Sequence, residues 1–119
     1  MYRVYVAGAY SATDVLSVAK NINRGITESI RLMEKGFYVY SPWGDFQFAT
    51  RVDLPMEYWK ANGMAWLQVA DAVFLVPGWP NSPGTLAEIE EAKRLNIPVF
   101  EEYIELLEWS RNKQSETAP

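Results

Sequence analysis

The chain has 119 residues, about half of them apolar and 22% charged, which fits one ordinary globular domain with its own core. Its net charge of −4 argues against a polynucleotide partner, and no apolar run is long enough to span a membrane. It contains no Cys and no His, which excludes disulfides, thiolate metal sites, thiol nucleophiles and imidazole bases. Acid, base or nucleophile must come from Asp, Glu, Tyr, Lys, Ser or Thr.

The first element is a strand over Tyr2–Ala7, rich in Val and Tyr. It begins almost at Met1 with no signal-peptide pattern, so a cytoplasmic location is expected. Gly8-Ala-Tyr-Ser11 reads as a small-residue turn. Thr13 or Asp14 then caps a long helix, in which Val15, Ala19, Ile22, Ile26, Ile30 and Met33 form one apolar stripe. Gly25 interrupts that helix at a point of close packing, and Gly36 ends it.

Phe37–Tyr40 reads as a second strand, followed by the loop Ser41-Pro-Trp-Gly44. Asp45–Leu54 has no strong period and reads as irregular. Pro55 opens the next helix, with Asp53 as its expected cap and Gly63 as its weak point.

The most informative stretch runs from Asp71 to Ala92. Ala72–Val76 is a short apolar run of strand length, and Pro77, Gly78, Pro80, Asn81, Pro83 and Gly84 force a turn. From Thr85 onward Leu86, Ile89, Ala92 and Leu95 fall at helical spacing. Asn96 ends that helix, and Ile97–Phe100 makes a fourth, short strand. Tyr103–Trp109 reads as a last helix and 110–119 as a polar, flexible tail, so the domain is expected to span 1–109.

Strands alternating with helices predict an α/β fold: a Rossmann-like three-layer arrangement with a parallel sheet of four or five strands and right-handed crossovers. Strand order 2-1-3-4 sets the first and third strands side by side at a switch point. The loops 8–11 and 77–84 then face one crevice, where open α/β sheets place ligands. Free N–H groups at the following helix start favour an anion such as phosphate.

Several residues near that crevice have two readings. Glu88 is either a carboxylate nucleophile for an electrophilic sugar carbon or the partner of Thr85 in a capping box. Ser82 either caps a helix that starts with Pro83 or donates its hydroxyl to a phosphate. Tyr10 orients a ligand or packs. Asp71 binds substrate or makes a structural hydrogen bond. Trp43 and Trp79 stand on loops at strand ends, where an aromatic wall for a base or simple packing are both open.

The ordered set Tyr5-Val-Ala-Gly-Ala-Tyr-Ser11, Asn21, Ser41-Pro42, Trp66-Leu-Gln-Val-Ala-Asp71 and Ser82-Pro-Gly-Thr-Leu-Ala-Glu88 resembles the nucleoside 2-deoxyribosyltransferase superfamily over most of Tyr2–Phe100. It is most similar to small phage and bacterial members of unassigned function, and also resembles the 2′-deoxynucleoside 5′-phosphate N-hydrolases. The resemblance implies cleavage or transfer at the N-glycosidic bond of a nucleoside or nucleotide. It implies no metal or organic cofactor, and a homodimer or higher homo-oligomer. It makes Glu88 the nucleophile and Ser82 a 5′-phosphate contact, with Tyr10 beside the sugar or base. Together with their places near the crevice, these readings make Gly8, Ser11, Asn21, Trp43, Asp71, Gly78, Trp79 and Gly84 expected substrate-binding positions.

One departure stands out. The family carries an Asp where this chain has Gly63. The second carboxylate is then missing, or comes from Asp45, Asp53 or a partner subunit. Two other functions stay open: a nucleotide-binding module that cleaves nothing, and a phosphoribohydrolase of the type with a Pro-Gly-Gly-x-Gly-Thr-x-x-Glu loop.

Overall fold

The computed structural model describes residues 1–117, with side chains through Gln114. The last two residues of the expected tail lie outside the described residues. Four strands form one all-parallel sheet: β1 (Arg3–Ala7), β2 (Tyr38–Tyr40), β3 (Ala72–Leu75) and β4 (Val99–Phe100), in the order β2-β1-β3-β4. This is the order expected from the alternation of elements. Among the described residues five α-helices connect and flank the strands: α1 (Val15–Glu34), α2 (Phe46–Ala49), α3 (Met56–Leu67), α4 (Pro83–Arg94) and α5 (Tyr103–Thr117). Among the described residues no helix is long and apolar enough to cross a membrane.

The period-2 alternation of a strand divides β1 between two cores. Val4 and Val6 pack with Leu32 of α1, Leu106 and Leu107 of α5, and Trp43. Tyr5 and Ala7 pack on the other face with Leu67 of α3 and Ile89 and Ala92 of α4. The result is a helix–sheet–helix sandwich in which both faces of β1 and β3 are buried, as parallel sheets require.

α1 starts as its sequence suggests. Asp14 is the N-cap, its Oδ1 accepting from the Ser17 N–H at 2.8 Å. Gly36 follows the helix with φ +94°, a conformation that favours Gly. The apolar stripe, however, does not face the core. Val15, Ile26, Ile30 and Met33 are exposed, and only Ile22 packs inward. Trp43 explains the rotation. Its indole lies against the helix where Gly25 has no side chain: a Cβ there would sit 2.2 Å from two ring atoms. The buried positions of α1 are therefore Gly25, Ser29 and Leu32.

Other expectations differ from the structure. The segment after β2 is not irregular throughout: Pro42–Asp45 forms a 3₁₀ turn that runs into α2, held by local bonds such as Gly44 N–H to Ser41 O at 2.9 Å. α3 begins after Pro55 with no side-chain cap, so Asp53 does not cap it, and it passes through Gly63 without a break. α4 begins at Pro83 with Ser82 as its cap, as one of the two readings of Ser82 expects, and not with Thr85 as N-cap. α5 continues past Trp109 to Thr117.

Candidate functional site

β1 and β3 are neighbours, with Ala7 opposite Leu75. Their following loops, 8–11 and 77–84, therefore leave the sheet at the same end. Gly8 is needed for this close approach, since a Cβ on it would lie 2.9 Å from the Val76 Cβ and 3.1 Å from the Trp43 ring. Beside these strand ends opens a cavity of about 840 Å³. Tyr5, Tyr10 and Ser11 line one side, Pro83, Gly84 and Glu88 of α4 another, and Asp45, the 49–54 loop and α3 close the rest.

Glu88 sits in the second turn of α4, too far inside the helix for a capping box. The cap is Ser82, whose Oγ accepts from the Thr85 N–H at 3.3 Å and from the Thr85 hydroxyl at 2.9 Å. The capping-box reading of Glu88 is thereby overturned. Its Oε2 accepts instead from the Tyr5 hydroxyl, which lies on the α3/α4 face of the sheet. Burial pushes the Glu88 carboxyl up from 4.5 to about 7, and the Tyr5 bond opposes that rise. Burial also pushes the Tyr5 hydroxyl far up, with the Glu88 charge adding to it, so Tyr5 remains a donor.

A second pair stands beside the first. Tyr40 is the β2 register partner of Tyr5, and their rings stack at 5.4 Å and 15°. The Tyr40 hydroxyl donates to Asp45 Oδ2 at 3.0 Å and accepts from Asn62 Nδ2 at 3.0 Å. Trp66 stacks on the outer face of Tyr40 at 5.8 Å. Burial raises the Tyr40 pKa, and the bond to Asp45 raises it further. Gly63 belongs to the same arrangement. It is buried, and a Cβ there would stand 3.0 Å from the Tyr5 hydroxyl oxygen. The Asp expected at this position would press on the hydroxyl that holds Glu88.

The other singled-out residues divide between the cavity and its support. Tyr10, Ser11 and Gly84 line it with Glu88. Tyr10 is 37% exposed, and partial burial pushes its hydroxyl pKa up. Asn21 lies behind the wall, its Nδ2 donating to the Tyr10 carbonyl at 3.2 Å. Gly78 takes φ +96°, and the Arg24 guanidinium donates to the adjacent Pro77 carbonyl at 3.1 Å.

Trp43, Trp79 and Asp71 do not line the cavity. Trp43 is a core residue, 2% exposed, with its Nε1 donating to the Ala9 carbonyl at 3.1 Å. Trp79 packs against the α3/α4 core and donates to Glu101 Oε1 at 3.2 Å. Asp71 precedes β3, at the opposite end of the sheet from the cavity, where its Oδ2 accepts from the Arg3 N–H at 2.8 Å.

Sequence reasoning overlooked Tyr5, Tyr40 and Asn62. One signal was available for Tyr5: a lone hydroxyl in the run Val4-Tyr-Val-Ala7, which needs a partner once the strand is buried on both faces. The register that joins Tyr5 to Tyr40 has no local signal.

No curated protein matches the chain. Residues 2–101 match the family described as a domain of unknown function (DUF4406), and the chain belongs to that family.

Proposed function

We propose that the protein cleaves the N-glycosidic bond of a nucleoside 5′-monophosphate of the deoxy series, or transfers its sugar, through a covalent intermediate on Glu88. The observation that carries this reading is a carboxylate with a pKa of about 7, buried in the wall of an 840 Å³ cavity and held by a tyrosine hydroxyl. A carboxylate so placed is desolvated, oriented and partly ionised at neutral pH, as nucleophilic attack on an anomeric carbon needs. The phosphate is read onto the first turn of α4. There the Gly84 N–H has no acceptor among the described residues, and Arg51 and Lys60 add positive charge from the same cavity. Tyr10 and Ser11 then stand at the sugar or base end.

Self-association belongs to the same reading and is supported by the exposed row Val15, Ile26, Ile30 and Met33 on α1. Sedimentation at high concentration is expected to give a species of at least twice the chain mass.

A nucleotide-binding module without turnover is favoured by one observation, the Gly at position 63. A screen of nucleosides and their 5′-monophosphates for free base separates the two. Release of base from monophosphates supports the enzyme. Thermal stabilisation by the same ligands with no base released supports the binder.

A further inference from the structure

The cavity holds two acidic side chains besides Glu88, namely Asp45 and Asp53. They differ in how they are held. Asp53 lies in the exposed loop before α3 and has no hydrogen-bond partner among the described residues. Asp45 is partly buried, and its Oδ2 is tied to the Tyr40 hydroxyl, which Asn62 in turn fixes. Its Oδ1 has no partner among the described residues and is left for a ligand.

The sheet register makes this tether informative. Tyr5 and Tyr40 are directly opposed on adjacent parallel strands, so their side chains leave the same face about 4.8 Å apart. Their rings remain nearly parallel out to the hydroxyls. One hydroxyl holds Glu88 and the other holds Asp45. The stacked pair thus carries one carboxylate on each member, and both carboxylates line one cavity. Two carboxylates that flank a single site are the working parts of most glycoside hydrolases.

We propose that Asp45 is the second carboxylate of the reaction, the group that exchanges protons with the leaving base and the incoming water, and that Tyr40 and Asn62 are its positioning residues. This rests on the reading of Glu88 as nucleophile. In the first half, a Glu88 oxygen bonds to C1′ as the C1′–N bond breaks. The bonding pair goes to the base, which takes the Asp45 carboxyl proton. In the second half, a water oxygen bonds to C1′, the C1′–Glu88 bond breaks and its pair returns to Glu88. The proton lost by the water goes to Asp45, which restores the starting state. The carboxylate absent at position 63 is thereby supplied from the 3₁₀ turn after β2.

The test compares two substrates that differ only in leaving group. The base of 2′-deoxyguanosine 5′-monophosphate needs a proton to depart. The 7-methyl derivative already carries a positive charge on its base and does not. Base release is followed within a single turnover, ahead of the water step, and there Asp45→Asn is expected to slow release from the first by about 100-fold or more and to leave release from the second nearly unchanged. Tyr40→Phe is expected to show the same split at smaller size with an unaltered melt, a pattern that a purely structural role does not produce. Glu88→Gln is expected to abolish both releases, and Asp53→Asn to leave the ratio between the two substrates unchanged. If Asp45→Asn slows both substrates equally or slows neither, or if Asp53→Asn gives the split instead, Asp45 is not the proton carrier, while the nucleophile reading stands on Glu88→Gln. A wild-type protein that releases no base from either substrate overturns both assignments together.

Discussion

The two faces of β1 are built to opposite standards. Val4 and Val6 face a core that α1, α5 and Trp43 fill with apolar groups, where Ser29 makes a local bond to the Gly25 carbonyl at 2.8 Å. Tyr5 and Ala7 face the α3/α4 side, where a phenol is buried to 1% exposure and its hydroxyl meets a carboxylate beside an open cavity. One residue step along the strand separates close packing from polar, desolvated geometry. The first face holds the fold together. The second stores a buried acid whose preferred state at neutral pH is balanced between charged and neutral. That difference explains why changes on the two sides should have different readouts: stability on one, chemistry and pH dependence on the other.

The largest expected effect lies on the cavity side. Glu88→Gln should reduce base release by at least about 1,000-fold, since a covalent step is lost, while the fold is retained. Melting should not fall. Above pH 7 the variant should be more stable than the parent by on the order of 1–3 kcal/mol, because a buried charge is removed.

The next effect breaks the other face. Gly25→Ala puts a methyl group 2.2 Å from Trp43 ring atoms and should cost about 3 kcal/mol, read as a drop in denaturation midpoint. Turnover per folded molecule should be unchanged. A variant that melts normally would show that Trp43 is not packed as described.

The third effect sharpens the comparison through pH. The folded Glu88 carboxyl titrates near 7 against an ordinary value of 4.5, so the folded state keeps a proton that the unfolded chain has lost between those values. Its contribution to stability is therefore present below about pH 4.5, is lost as pH rises towards 7, and is flat above. Glu88→Gln should remove that slope. Base release from the 7-methyl substrate, which needs no proton from Asp45, should run the other way, rising with pH to a plateau above about 7. Tyr5→Phe deletes the bond that lowers the carboxyl pKa, so the acid limb of the rate profile should move to higher pH.

The smallest effect concerns the start of α4. Ser82→Ala removes its cap and should cost about 1 kcal/mol of stability. If the phosphate binds at that terminus, the loss of affinity should be greater for monophosphates than for nucleosides. Equal losses would confine Ser82 to capping.

The fold was largely legible in the sequence, and the site only in part. Alternation of strand and helix patterns, the Gly/Pro cluster at 77–84 and the Gly after α1 are local signals, and they lead to the observed strand order. The α1 stripe misled because periodicity reveals an apolar face without saying what lies opposite it, and here Trp43 draws in Gly25 and Ser29 instead. Glu88 could be found because strand, turn and helix start are contiguous in the chain. Tyr5 and Tyr40 could not be paired, since 35 positions separate them and only the β1–β2 register brings their rings together. The places of Asp71 and Trp43 were not legible for the same reason: proximity to a strand end in sequence does not say which end, or which side, faces the cavity.

If Glu88 is the nucleophile, it forms a covalent bond to the sugar. Its most direct test is peptide mass spectrometry of the protein quenched with a slow substrate, a 2′-deoxy-2′-fluoro nucleoside 5′-monophosphate. A fluorinated sugar-phosphate adduct is expected on the peptide containing Glu88, absent from Glu88→Gln. Base release with no adduct, or an adduct on another residue, would contradict it.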